Sequence, residues 1–169
     1  MRRIKFKVNR GTYMPVLMKV LDVSEGPIVE LGTGPCSTLF LHWFSIYKKR
    51  KLMSYESDLD WFKLFSGYNT LLHTVTQVTD WNMVDLTTPC SVAFVDHAPD
   101  EHRKFEIAKL THVDYVIAHD AEARDETKYN YKEILDLFKY SFLYKNSGTP
   151  YTLVLSNTYD LSFLNELNS

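Results

Sequence analysis

Short apolar runs of four or five residues alternate along this chain with stretches whose apolar positions recur every three or four residues. The first pattern predicts strands buried on both faces, the second amphipathic helices. Their alternation is the mark of βαβ units and a largely parallel sheet. A helix is predicted over residues 12–23, with Met14, Val16, Leu17, Val20 and Leu21 on one side, then a strand at 28–31 and a helix at 37–49. Ser37 or Thr38 near that helix's start, with Lys48, Lys49 and Arg50 at its end, suits the helix dipole. A second strand at 52–55 ends at Glu56 and precedes a helix at 58–65; a third, at 71–78, leads to a polar turn near Asp80. Residues 91–95 form a continuous apolar strand ending at Asp96, followed by a helix at 100–110 capped by Asp100. The strand at 115–118 ends at His119 and Asp120, and 129–139 reads as helix. Strands at 142–144 and 151–155, joined by the turn at 146–150, close as an antiparallel hairpin, and 161–167 gives a last helical turn. The expected fold is therefore α/β, a Rossmann-like, doubly wound, mostly parallel sheet with a C-terminal antiparallel hairpin.

With 169 residues and no linker, repeat or low-complexity tract, the chain reads as one domain spanning 1–169, an N-terminal helical cap at 1–25 and a Rossmann-like core at 26–169. An apolar fraction of 45% and a charged fraction of 24% are those of an ordinary soluble protein. A net charge of −2 argues against nucleic acid as a partner, and the local cluster Arg2, Arg3, Lys5, Lys7 and Arg10 reads as a solvated terminus. No apolar run is long enough for a membrane span, and the start lacks a signal-peptide core. Cys36 and Cys90 do not make a disulfide framework and fit a reducing cytoplasm, the expected location. The oligomeric state is left open, a homodimer included.

The chemistry concentrates at residues 27–38. A strand ends in Glu30, two glycines, Gly32 and Gly34, open a turn, and a helix begins near Ser37. Glycines let backbone approach a ligand closely, and a carboxylate at such a strand end points to a pocket for a nucleoside-bearing small molecule. Glu30, Glu56, Asp96 and Asp120 end four of the first five predicted strands, and in a parallel sheet those ends share one edge, so the carboxylates can converge on one cleft.

In these residues the sequence resembles the class I S-adenosylmethionine-dependent methyltransferases over roughly residues 26–120. Glu30-Leu31-Gly32-Thr33-Gly34 matches their first motif, acidic-x-Gly-x-Gly, and implies that this turn and Ser37 after it approach the methionine part of the cofactor. Glu56 matches the acidic residue that accepts hydrogen bonds from both ribose hydroxyls, and Asp80-Trp81 stands where the family contacts adenine. Within the family, Phe94-Val95-Asp96-His97 with Asp100 and Arg103, and Val116-Ile117-Ala118-His119-Asp120, resemble the small-molecule O-methyltransferases of the catechol type. That resemblance implies a small-molecule acceptor, His97 beside the cofactor, and Asp96 and Asp120 as ligands of a divalent metal, for which Mg²⁺ suits the hard oxygens. Two positions of the catechol-type segments depart from the pattern: Ala121 replaces the third metal ligand, an Asn, and Pro99 stands at or near the catalytic Lys; in the first motif Pro35-Cys36 replaces the last small residue while still permitting a tight turn.

The expected reaction is methyl transfer to an oxygen of a small molecule, with Asp96, His119 and Asp120 at the reacting edge and His119 as the candidate general base. The two departures motivate a second reading, a protein that binds S-adenosylmethionine without transferring the methyl group. A nucleic-acid methyltransferase has no recognisable base-acting motif to support it. His97, His102 and His119 lack the short spacing of a transition-metal site, Cys36 lacks a nominated partner for nucleophilic chemistry, and the Tyr129-Asn130-Tyr131 cluster serves equally as pocket lining or packing.

Overall fold

A computed structural model describes residues 11–122, 126–145 and 150–168. The N-terminal basic cluster and most of the turn at 146–150 lie outside the described residues. The elements run α1 (Met14–Val23), β1 (Ile28–Leu31), α2 (Ser37–Lys48), β2 (Leu52–Glu56), α3 (Leu59–Phe65), β3 (His73–Gln77), β4 (Val92–Val95), α4 (Arg103–Lys109), β5 (Tyr115–His119), α5 (Glu126–Tyr129), β6 (Tyr140–Tyr144) and β7 (Thr152–Ser156). The strands form one sheet in the order β3-β2-β1-β4-β5-β7-β6. The first five are parallel, while β7 runs antiparallel to both β5 and β6. The doubly wound sheet with a closing hairpin is thus the one the alternation predicts.

The central strands β1, β4, β5 and β7 are buried along their whole length, which is why they read as unbroken apolar runs. Alternate side chains feed two cores. Ile28, Val92, Phe94 and Ile117 meet Val16, Leu17, Val20 and Leu21 of α1 on one face; Val29, Leu31, Val95 and Val116 meet Ile107 and Leu110 on the other. Pro15 at the start of α1 removes an N–H that would have no helical partner. Among the described residues, no helix is long and apolar enough to cross a membrane.

Four elements differ from the pattern-based reading. β3 begins at His73 rather than 71, because the Thr70 hydroxyl accepts from the Leu72 and His73 amides and leaves Leu71 fully exposed in a turn. Residues 100–110 are not one helix: a 3₁₀ turn, Asp100–His102, precedes α4, and Asp100 does not cap it but pairs with Arg103 and Lys128. The stretch at 129–139 breaks because Asn130 adopts a left-handed φ of 51°, which separates α5 from a 3₁₀ segment, Tyr131–Leu137. β6 starts at Tyr140, two residues before the predicted strand. A 3₁₀ segment, Ser162–Asn168, closes the described chain.

The chain leaves β1 for β2 and β3 on one side, then crosses back to β4 on the other. That reversal makes the carboxyl ends of β1 and β4 a topological switch point, where open α/β sheets take ligands. In register, Glu30 lies opposite Phe94 and Leu31 opposite Val95, so Gly32 emerges beside Asp96 and His97.

Candidate active site at the switch point

A cavity of about 320 Å³ opens at these strand ends, lined by Tyr13, Gly32, Thr33, Glu56, Trp61 and Asp96, with Gly34 and His97 at its walls. Gly32 is held by sheet-like bonds: its amide donates to the Tyr55 carbonyl, and the Asp96 amide donates to the Leu31 carbonyl. Its φ is +92°, and a Cβ there would stand 2.5 Å from His97 Cα and 2.6 Å from the Asp96 carbonyl oxygen. Only glycine lets the two strand ends approach this closely. Gly34 has no such backbone demand; a Cβ there would meet the Ser37 hydroxyl at 3.3 Å.

Glu56 reaches the cavity already bonded. Its Oε2 accepts from the Thr33 amide at 2.8 Å and the Thr33 hydroxyl at 2.9 Å, and its Oε1 accepts from the Asp58 amide at 2.8 Å. The Asp58 side chain then caps α3 by accepting from the Asp60 and Trp61 amides, which sets the Trp61 ring at the cavity's rim.

Glu30 lies beneath the turn, fully buried. Its carboxylate accepts from the Thr38 hydroxyl at 2.9 and 3.1 Å and from the Ser54 hydroxyl at 2.6 Å, with Ser37 buried nearby. Ser54 in turn meets His73 at 2.9 Å, and His73 meets His42 at 3.1 Å, a polar chain wholly inside the fold. Burial pushes the Glu30 carboxyl up to about 7, against the pull of these hydroxyls. Glu30 therefore supports the turn from below rather than facing the cavity.

Asp80 and Trp81 are placed elsewhere. Asp80 is exposed and accepts from the Asn82 amide, starting a 3₁₀ turn. Trp81 is buried, donates through Nε1 to the Ala98 carbonyl at 2.9 Å, and stacks on the His97 ring at 4.0 Å between centroids. The His97 ring lies between Trp81 and Glu106, whose carboxylate is 3.3 Å from Nε2. Trp81 thus backs His97 and is not among the residues lining the cavity.

At the β4 and β5 exits, Asp96, His119 and Asp120 come together with their donor atoms within 4.8 Å of one another. His119 Nδ1 is 3.3 Å from Asp96 Oδ1 and 3.7 Å from Asp120 Oδ1; Nε2 is 3.1 Å from the Thr12 hydroxyl. Burial disfavours the imidazolium, yet the Asp96 and Asp120 charges outweigh it and hold His119 above its ordinary range. Burial likewise works against the Asp96 carboxylate, and His119 and Arg103 overcome it, so Asp96 is held below its ordinary range. Arg103, 3% exposed, lies against all of this: Nε donates to the His97 carbonyl, Nη1 to the His119 carbonyl and Asp120, and Nη2 pairs with Asp96 and Asp100.

A larger hollow, about 570 Å³, lies at the amino ends of β1 and β2, lined partly by the basic run at 48–51. Arg50 there serves the fold, donating to the carbonyls of Leu21, Ser24 and Gly26. None of the strand-end carboxylates reaches it.

No family model and no curated relative matches this sequence. Solved structures do match. A putative O-methyltransferase from Klebsiella pneumoniae superposes with a TM-score of 0.65 at 15% identity, covering 94% of this chain and 84% of its own. The O-methyltransferase TomG from Streptomyces achromogenes, solved with SAM, gives 0.63 at 16% identity, over 86% of this chain and 78% of its own. A putative tRNA (m1A22) methyltransferase from Streptococcus pneumoniae gives 0.59 at 15% identity, over 91% and 78%. The fold is that of the class I methyltransferases. In this methyltransferase fold the structure joins Gly32, Thr33, Gly34, Glu56, Asp96 and His97 at one cavity, with His119 and Asp120 adjoining through Asp96. Glu30 and Ser37 lie beneath it, and Asp80 and Trp81 lie apart. Sequence reasoning missed Thr12, Tyr13 and Trp61. The available signal for Trp61 was an aromatic in the first helical turn after the acid-ended second strand.

The donor set can be tested against the divalent metal that the catechol-type resemblance implies. Mg²⁺ takes near-octahedral oxygen ligands at about 2.0–2.1 Å. Here one of three donors is an imidazole, and a guanidinium already contacts Asp96 and Asp120 at 3.0 Å each. The residues do not fit the ion.

Proposed function

We propose that this chain is an S-adenosylmethionine-dependent methyltransferase acting at an oxygen of a small-molecule acceptor. The observation that carries this reading is the double role of Asp96, which lines the switch-point cavity and also holds His119 through Nδ1. A potential base thus stands beside the place where a nucleoside would lie. The net charge of −2 supports a small acceptor over a nucleic acid.

When bound, S-adenosylmethionine supplies a methyl group already activated by its sulfonium: the acceptor O–C bond forms as the C–S bond breaks, and the electron pair stays on sulfur. The chain's own residues do the rest. A carboxylate offers about four acceptor positions, and Thr33 and Asp58 use three on Glu56, so a ribose diol gains both its bonds by replacing the Thr33 hydroxyl. Trp61 supplies a ring at the rim for stacking a base. His119 Nε2 takes the acceptor's proton, its other nitrogen held by Asp96. The Thr12 hydroxyl occupies the position on Nε2 that this acceptor hydroxyl would take.

That same Thr12 contact favours a second reading, a protein that binds the cofactor without turnover because the base is occupied. Calorimetric titration with S-adenosylmethionine tests the shared part: binding is expected for the wild type and a loss of about tenfold or more for Glu56→Ala, from the missing diol bonds. No binding sinks both readings. Transfer of labelled methyl to a panel of hydroxylated small molecules separates them, since binding without any transfer leaves only the second.

A further inference from the structure

We infer that the Arg103 guanidinium is the resident counter-ion of the Asp96–Asp120 cluster, taking the place that a divalent cation would occupy, so that the acceptor edge works without metal. Arginine carries five N–H donors in a fixed planar fork. In this structure four of them are hydrogen-bonded, to the carbonyls of His97 and His119 and the carboxylates of Asp100 and Asp120, and Asp96 pairs with Nη2 at 3.0 Å. Its side chain is 4% exposed, while those of Asp96, Asp100 and Asp120 are 22–27% exposed. The cation is therefore the buried centre, and the anions form its shell.

A buried charge is retained when it is paired and hydrogen-bonded, and Arg103 has three carboxylate partners and four hydrogen bonds. The guanidinium carbon also lies 5.0 Å from the centroid of the Tyr129 ring. The Tyr131 hydroxyl donates to the same His119 carbonyl that Arg103 serves, fixing the β5 exit from the other side. A divalent ion entering between Asp96 and Asp120 would have to expel a charge held by five partners. Arg103 is turned inward to these partners and is a positioning residue: it pairs with Asp96, which holds His119.

The acceptor class follows, resting on the methyltransferase reading above. With no metal to chelate, a vicinal diol has no advantage over a single hydroxyl, and activation falls to His119 alone. The site takes a monodentate hydroxyl acceptor.

The test uses Mn²⁺ as its probe and reads occupancy by electron paramagnetic resonance and calorimetry on the full chain, independent of any methyl transfer. The wild type is expected to bind no stoichiometric Mn²⁺ at millimolar concentration. Arg103→Met, which keeps the apolar stem and removes the charge, is expected to gain one Mn²⁺ site, lost again when Asp120→Asn is added. A single saturable Mn²⁺ site in the wild type that Asp96→Asn abolishes overturns the inference. So does a folded Arg103→Met protein that gains no site. Should Arg103→Met fail to fold, the wild-type titration and its Asp96→Asn control decide alone. Because the readout is metal occupancy, its failure is distinct from a failure to bind S-adenosylmethionine.

Discussion

Glu30 and Asp96 lie at neighbouring strand ends, yet the fold treats the two carboxyls in opposite ways. Glu30 is enclosed with hydroxyls alone, and burial drives it up to about 7. Asp96 is only partly enclosed, and His119 and Arg103 stand against it and hold it below its ordinary range. The difference is the presence of a cation. Hydroxyls can satisfy a carboxyl in either protonation state, whereas a guanidinium requires it charged. One carboxyl supports backbone and the other presents chemistry, and the local partners decide which.

The comparison can be broken most forcefully at its cation. Arg103→Ala leaves three carboxylates around an empty centre and is expected to destabilise the fold by about 3–5 kcal/mol, read from urea denaturation. A loss under about 1 kcal/mol would show that the cluster is held by solvent, not by arginine.

The Glu30 side is tested by pH. The folded protein keeps the Glu30 proton to about 7, against 4.5 for an ordinary carboxyl, so this group's contribution is fully present below 4.5 and is lost as pH rises through 7. The loss amounts to about 3 kcal/mol at most. Glu30→Gln mimics the protonated form and is expected to flatten that slope between pH 4.5 and about 7; an unchanged slope in the variant would place the dependence elsewhere.

His119→Gln is expected to lower methyl transfer by ~10²-fold while S-adenosylmethionine affinity stays within about twofold, since the ring lies at the acceptor edge. Equal activity in variant and wild type would remove His119 as the base. The smallest effect belongs to Thr12→Val. Freeing Nε2 is expected to lower KM for a hydroxyl acceptor by about two- to threefold, under about 1 kcal/mol. A rise in KM would instead make Thr12 part of the acceptor's binding surface.

What could be read in the sequence follows burial. β1, buried on both faces, begins and ends where its apolar run does, at Ile28 and Leu31, and α2 begins at the predicted Ser37. The errors fall where local hydrogen bonding outranks hydrophobic period: Thr70 shortening β3, and Asn130 in a left-handed conformation dividing a helical pattern. In the site, Glu56, Asp96 and Asp120 were legible because strand order and strand ends are sequence features. Arg103 was visible as part of a family-like segment, but not as the hub of three carboxylates. That role exists only once the β4 exit, the β5 exit and α4 are brought together. Thr12 and Tyr13 were hidden within a predicted helix that in fact starts at Met14.

The bonds that pin Gly32 have a thermodynamic corollary. The turn's amide is tied to β2 and its neighbouring strand end to β4 before any ligand arrives. A ligand reaching this edge meets backbone already ordered by the sheet, so its association costs little loop entropy. Heat-capacity changes on binding should then track the ligand's own buried surface rather than a refolding of the protein. The turn acts as a mould cast by the sheet, finished before the ligand is poured.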